Sequence, residues 1–556
     1  MDELTKRSHD LLRGSYDCVD RIVLNAYFWV GHTPGGFRYW WRSLHGGSDK
    51  TLDNAHLMRM AGRFSRRLRG FAKAKGIPVL DCSSEERKHE IAEEYLASHD
   101  VSTGLFMILV ARAPASTWDV QINSRGVICN LAAKRSYVNH YSFHIMDPTW
   151  GHVTIKMAGH PPFDAQVMLN GHEYVAAQAK RAGVDFGKEG NCFTLVTDPA
   201  RLAELADTLS RPEATGLLRQ AADRWIFSAC LCFALSPGEV EASRFHYDYS
   251  VYQVEYSRNL IFAEGSQLDA VFNTMADRIR SRIDVPVLRT LFGVKKRPRR
   301  KSWGKVLKPR EAVVIETPSW DLTIFKVHFG LLTLKGYTKG EHVARFEAIT
   351  HNTRALGCGR TLDRFPDIAA KLRAMTDRFT TMLDCVHIGF LPAGILDELP
   401  APSRLGSTRV GGIDWNKPRM RHALAAALAL AVAPGGFTVS DFAAKVQAMT
   451  GQVPADYTLR QAAYDLRKLR AKALVDKPGS SRRYLVPEDA ARLLAGLTVL
   501  RDQVLVPVLS GLCPGQPVGD RPTHLNPVDA HYESLRTTLR SLVRDLGVAT
   551  GTDIAA

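Results

Sequence analysis

The sequence has no CxxC repeat, no leader-like apolar segment and no long hydrophobic run, and each absence removes a class of protein. Its nine cysteines are scattered, with Cys230 and Cys232 the only close pair, so neither a disulfide framework nor a zinc knuckle is written in their spacing. They read as reduced thiols. The opening residues, MDELTKRSHD, are polar and lack the core of a signal peptide. The longest apolar run, 423–433, is too short to cross a bilayer. Together these predict a soluble, cytoplasmic protein without a membrane partner. A Walker loop, a GxSxG elbow and a dinucleotide fingerprint are also missing, which argues against NTP hydrolysis, esterase chemistry and NAD use.

What is present is a chain of 556 residues, 45% apolar and 23% charged, with material for several folded domains. Its 73 Lys and Arg exceed its 57 Asp and Glu by 16, so its surface potential should attract a polyanion. No stretch has the sustained basic face and apolar opposite face that membrane-surface binding needs. Nucleic acid is the expected partner, DNA first and RNA second. Composition does not speak to oligomeric state.

Periodicity divides the chain. Residues 1–104 read as an α/β unit, with an apolar strand from Arg21, a helix whose Leu57, Met60, Phe64, Leu68 and Phe71 share a face, and a short strand ending at Asp81. Residues 105–233 read as an α+β sandwich with a helical end. Residues 234–400 read as a second α+β unit, its connections too short for crossovers and its sheet therefore antiparallel. No sequence repeat is evident, yet the two strand-rich halves are candidates for a shared fold. The second unit is interrupted by a basic linker, 294–310, whose Lys295, Lys296, Arg297, Arg299 and Arg300 cannot bury a core and suit a polyanion.

Near the C-terminus, a helix with Val439, Phe442, Val446 and Met449 at helical spacing is followed by a second one from the cap Thr458 to Val475. Leu459, Ala462, Ala463, Leu466 and Leu469 supply the second helix's expected core face. A hairpin around Pro478-Gly-Ser, tipped by Arg482 and Arg483, comes next. This order over 415–500 resembles the winged-helix family of DNA-binding domains. The resemblance implies that Arg460, Gln461 and Tyr464 face bases in the major groove, while Arg467, Lys468, Arg482 and Arg483 meet phosphates. A helical tail, 501–556, completes an α+β, multi-domain body with mixed and antiparallel sheets followed by a winged helix-turn-helix.

The segment Leu334-Lys-Gly-Tyr-Thr-Lys-Gly-Glu-His-Val-Ala-Arg-Phe-Glu347 resembles the Tyr-x-Lys-Gly hairpin and Arg-Phe-Glu of rolling-circle replication initiators of plasmids and filamentous phage, at Tyr337, Lys339, Arg345 and Glu347. The resemblance implies single-strand DNA nicking, with Tyr337 as nucleophile, Lys339 and Glu347 assisting, and Mg2+ or Mn2+ held by Glu347. The sequence departs from the better-known branch in lacking a His-hydrophobic-His metal pair. Alternation along 331–337 equally makes Tyr337 an ordinary sheet tyrosine.

Other clusters have two readings each. Asp17, Asp20 and Asp81 with Glu85, Glu86 and His89 are either a carboxylate metal site or unrelated strand-end acids. Phe37-Arg-Tyr-Trp-Trp-Arg-Ser-Leu-His is either a base-stacking platform or core. His144, His152, His160 and His172, with Asp147 and Asp164, have no zinc spacing. The expected function is that of a DNA-binding protein of a mobile element or plasmid, a replication initiator or transposase-like nicking endonuclease. A non-enzymatic regulator or partitioning factor, and a structured-RNA-binding protein or RNA-associated nuclease, are the alternatives.

Overall fold

A computed structural model of the chain describes residues 8–83, 86–124, 127–272, 311–316, 324–387, 391–450 and 456–505, with scattered positions between 530 and 541. Lys295, Lys296, Arg297, Arg299 and Arg300 of the basic linker, Glu85 and most of the 501–556 tail lie outside these. The protein is of the α+β class. Two compact units are present, one of residues 7–269 and 315–376 and one made mainly of 377–556. No helix among the described residues is long and apolar enough to cross a membrane.

The first unit is built on an 11-stranded sheet that ignores the boundaries expected at 104 and 233. Its strands are β1 (Leu12–Tyr27), β2 (Val79–Asp81), β3 (Gly104–Ile122), β4 (Ile128–Asp147), β5 (Gly151–Ala158) and β6 (Ala165–Asn170). After a small separate hairpin, β7 (Phe186–Lys188) and β8 (Phe193–Val196), come β9 (Asp248–Phe262), β10 (Glu311–Glu316), β11 (Ile324–Phe329), β12 (Leu332–Lys339) and β13 (Val343–Thr350). The order across the sheet is β10-β11-β12-β13-β9-β1-β6-β5-β4-β3-β2. A unit confined to 1–104 would hold β1 without either of its neighbours, which is why the boundary fails.

This order has an internal symmetry. β1 is followed by a meander, β3 to β6, whose last strand returns beside it, and β9 by a second meander, β10 to β13, whose last strand returns beside β9. β1 and β9 pair antiparallel at the centre, so the halves are related about an axis between them. The two meanders thus share a strand order although the sequence shows no repeat.

β1 begins nearer the N-terminus than its apolar run suggests. Its second half buries Ile22, Val23, Leu24 and Ala26 on both faces, as a central strand must. The first half carries Asp17 and Asp20, which look like surface residues until their partners across the sheet are seen. Beyond β2 and β5, β3 and β4 continue as a long two-stranded arm pairing Arg112 with Asn139 and Thr117 with Lys134. Against it pack Phe37, Trp40 and Trp41 of the helix Pro34–Leu44, all but inaccessible, with Phe37 5.6 Å from Trp118 ring to ring. Phe37, Trp40 and Trp41 are therefore core, while Tyr39 is 61% exposed, and Arg38 and Arg42 both pair with Asp49.

In the second unit the helices Pro418–Leu430, Val439–Thr450 and Leu459–Ala471 precede a pair of bridges, Phe437 to Tyr484 and Asp476 to Leu485, and the helix Glu488–Val499. The third helix starts at a capping box, with Thr458 N–H donating to Gln461 Oε1 at 2.7 Å. It buries Ala462, Leu466 and Leu469 as expected, but leaves Leu459 58% exposed and buries Asp465 instead. A carboxylate can take that place because Arg419 grips it with two bonds, 2.9 and 2.8 Å, and Tyr457 donates a third at 2.9 Å.

Candidate functional site

The unusual chemistry of the first unit lies in two cross-strand rows at its centre. Register places Cys18, Ser257, Glu347 and Lys335 in one line over β1, β9, β13 and β12, and Tyr16, Asn259, Arg345 and Tyr337 in the next. These side chains, at every second position of their strands, therefore meet on one face. At Asp20 a bulge sets two residues of β1 against Glu255 alone, since Val19 pairs with Tyr256 and Ile22 with Val254. Above this face the helix Gly171–Arg181 begins so close to β1 that a Cβ on Gly171 would stand 1.7 Å from the Val19 carbonyl oxygen. Only glycine permits that approach, and it brings His172 to the sheet.

Arg345, fully buried, is the hub. Its Nη2 donates to Asp20, its Nε to Glu347 Oε1 at 2.7 Å, and its Nη1 to the Asn191 carbonyl at 2.7 Å and to Asn259 Oδ1 at 3.2 Å. Tyr337 donates its hydroxyl to the same Glu347 oxygen at 2.8 Å. Asp20 also accepts from Ser257 at 3.0 Å, and its Oδ1 lies 2.6 Å from His172 Nδ1. Burial drives the Asp20 carboxyl upward, but Arg345 and His172 outweigh it and the net is below the ordinary value. Burial pushes the His172 imidazole down against the pull of Asp20. Burial, opposed by Arg345 and reinforced by Glu347, holds the Tyr337 phenol far above its usual range, and burial with Arg345 lowers the Lys339 ammonium.

Cys18, Asp20 and His172, all buried, bring ligand atoms within 4.8 Å of one another and could hold a metal ion. Thiolate, imidazole and carboxylate together suit a zinc-like cation better than Mg2+ or Mn2+. Arg345 already supplies positive charge to Asp20, and an ion would have to share that carboxylate.

The expected nicking residues come together: Tyr337 and Glu347 touch, Arg345 joins them, and Lys339 Nζ bonds Asn191 Oδ1 beside them. Glu347 is almost inaccessible and Tyr337 half-buried. Glu347 Oε2 lies 3.5 Å from Lys335 Nζ. Among the described residues the three aspartates of the acidic cluster do not gather. Asp17 points to the other face and pairs with Arg258, Asp81 pairs with Arg69, and Asp20 alone enters the centre. Sequence reasoning missed Ser257, Asn259, Tyr16, whose hydroxyl donates to Cys192 Sγ at 3.7 Å, and the role of His172. The available signal was the run Ser257-Arg258-Asn259 just before the apolar end of β9, and Asp17 and Asp20 on either side of Cys18-Val19 in β1.

The histidine patch also disperses. His32 pairs with Asp164 at 2.7 Å, His160 bonds the Pro161 carbonyl, and Asp147 accepts from Trp225 Nε1 at 2.7 Å. His144 and His152 do meet, ring nitrogens 3.0 Å apart. Burial, reinforced by His152, pulls His144 down to about 3, and burial against Glu173 pulls His152 down to about 4. Both are depressed below the unfolded value, so their contribution is whole above about pH 6.5 and is lost as pH falls toward 4. His144→Gln should therefore lose less Tm than the wild type between pH 7 and pH 5. Parallel Tm profiles would refute this.

Of the residues expected to meet DNA, Arg460, Arg467 and Arg482 are exposed and Tyr464 is 47% exposed. Gln461 caps its helix, Lys468 donates to the Gly412 carbonyl at 2.9 Å, and Arg483 donates to the Gly436 carbonyl at 2.7 Å. Beside this helix a hairpin, Ser403–Leu405 with Thr408–Val410, sets Arg404 opposite Arg409. No protein-family model, curated protein or solved structure matches the chain.

Proposed function

We propose that the protein binds DNA through its C-terminal unit in the manner of a winged helix. The observation that carries this reading is the charge arrangement of the helix Leu459–Ala471. Its one acid, Asp465, is buried against Arg419, while Arg460 and Arg467 project from the surface and Arg482 marks the tip of the adjoining turn. The helix thus offers phosphates its arginines with no exposed carboxylate of its own beside them. With Gln461 engaged as a cap, base reading falls to Arg460 and Tyr464. Arg467→Glu in the full chain should weaken duplex DNA binding at least tenfold at low salt, on all sequences alike, and flatten its salt dependence. Titration of a labelled duplex measures this. Unchanged affinity would refute the reading and favour a protein-docking role.

A second reading is favoured by the contact of Tyr337 with Glu347: the body nicks a single strand, as a replication initiator or transposase-like protein of a mobile element or plasmid would. Glu347 takes the phenolic proton and the Tyr337 oxygen attacks phosphorus. The P–O3′ ester bond breaks, the departing 3′-oxygen takes the proton that Glu347 received and leaves as a hydroxyl, and the 5′-phosphate stays on Tyr337 as a phosphotyrosine. Arg345 and Lys339 face the charge that develops. A bound Mg2+ or Mn2+ would be held through Glu347 Oε2, in competition with the Lys335 ammonium 3.5 Å away, and would polarise the phosphate.

A further inference from the structure

Away from the charged rows, a cleft of about 650 Å³ lies between the first half of the helix Asn54–Lys75 and the β3–β4 arm. Part of each wall is made of small residues. The helix presents Ala61, Gly62 and Ser65, and the arm presents Thr117 and Ser136. Trp118, fixed by its bond from Nε1 to the Gly31 carbonyl at 2.9 Å, closes one end. The walls are therefore built from packed elements.

Two large apolar surfaces are left uncovered there, Tyr137 at 67% exposed and Met58 at 65%. The rim is basic. Lys134 and Arg112 line it from the arm, and Arg66 reaches over Gly62, where a Cβ would stand 3.3 Å from Nη1. The helix as a whole has five arginines, two lysines and no acid. Arg63 and Arg69 are paired with Glu239 and Asp81, whereas Arg59, Arg66 and Arg67 are exposed. Asp119 is the one acid in the lining.

An exposed aromatic ring in a slot with cationic edges is the arrangement that takes a base on its face and phosphates along its rim. A duplex hides base faces in its stack and offers Tyr137 nothing to cover it. We propose that this cleft binds unpaired nucleotides, with one base stacked on Tyr137 and the backbone held by Lys134, Arg112 and Arg66. Ser136 and Asn139 supply donors and acceptors to base edges.

The test uses the full chain and three labelled probes: oligothymidylate, oligouridylate and a duplex. The duplex arm reports on the C-terminal unit, so its failure and the failure of the cleft are separately visible. Tyr137→Ala should weaken at least one of the single strands tenfold or more while leaving the duplex unchanged, and Tyr137→Phe should retain wild-type affinity. The strand that loses affinity names the sugar the cleft takes. Arg66→Glu should weaken the same strand and reduce its salt dependence. The proposal is overturned if wild type binds neither single strand, if Tyr137→Ala binds both as wild type does, or if Tyr137→Ala loses duplex affinity equally.

Discussion

Arg345→Met is expected to destabilise the protein by about 3–5 kcal/mol, the range for removing one partner of a buried ion pair. Arg345 is wholly inaccessible and contacts both Asp20 and Glu347, so methionine leaves two carboxylates in the sheet without their cation. They must then either stay charged at high desolvation cost or take up protons. The triple variant Arg345→Met, Asp20→Asn, Glu347→Gln should recover much of the loss, because the cost lies in uncompensated charge more than in missing contacts. The Asp20 carboxyl is depressed on folding, so its contribution is present above the unfolded value near pH 4 and fades as pH falls through the lower folded value. Urea unfolding of the variants measures these differences. A single-variant loss under about 1 kcal/mol would mean that water or neighbours compensate the site, contrary to the packing described.

Tyr337→Phe is expected to abolish any covalent protein–DNA adduct while leaving duplex binding intact, since it removes a hydroxyl and no charge. Glu347→Gln should reduce the same adduct, because an amide neither accepts the phenolic proton nor holds a divalent ion well, and added Mg2+ or Mn2+ should restore part of it if the ion role is real. The elevated phenol makes the proton acceptor essential, because phenolate is scarce at neutral pH. Denaturing gels of labelled single strands incubated with protein and metal read the result. Wild type that forms no adduct on any single strand would end the tyrosine mechanism and leave DNA binding as the function.

Much of the fold was legible where one periodicity ruled. The strands at 151–158, 165–170 and 343–350, and the face Leu57, Met60, Phe64 and Leu68, follow from alternation and helical spacing. What could not be read was set by distant partners. Asp20 looks like a surface acid in β1 until Arg345 arrives beside it, and Asp465 looks solvent-facing until Arg419 does. The arm beyond Val110 is strand because β3 and β4 pair with each other, although Ala113, Pro114 and Ala115 have no strand pattern of their own. The hairpin motif located Tyr337, Arg345 and Glu347, but their partners on β1, β9 and the helix at Gly171 carry no local signature.

The antiparallel seam between the halves also sets a timetable. Asp20 and Ser257 are 237 residues apart, and Asp20 and Arg345 are 325. At a synthesis rate of about 5–20 residues per second, β1 waits roughly 12–65 s between its own completion and the arrival of these partners. During that interval its β9-facing edge is an open template for other chains. Asp17 and Asp20 lie in the stretch that waits, and their charges oppose stray pairing until the ribosome has delivered the arginines that neutralise them. The ions of the finished core thus serve first as guards of the nascent strand.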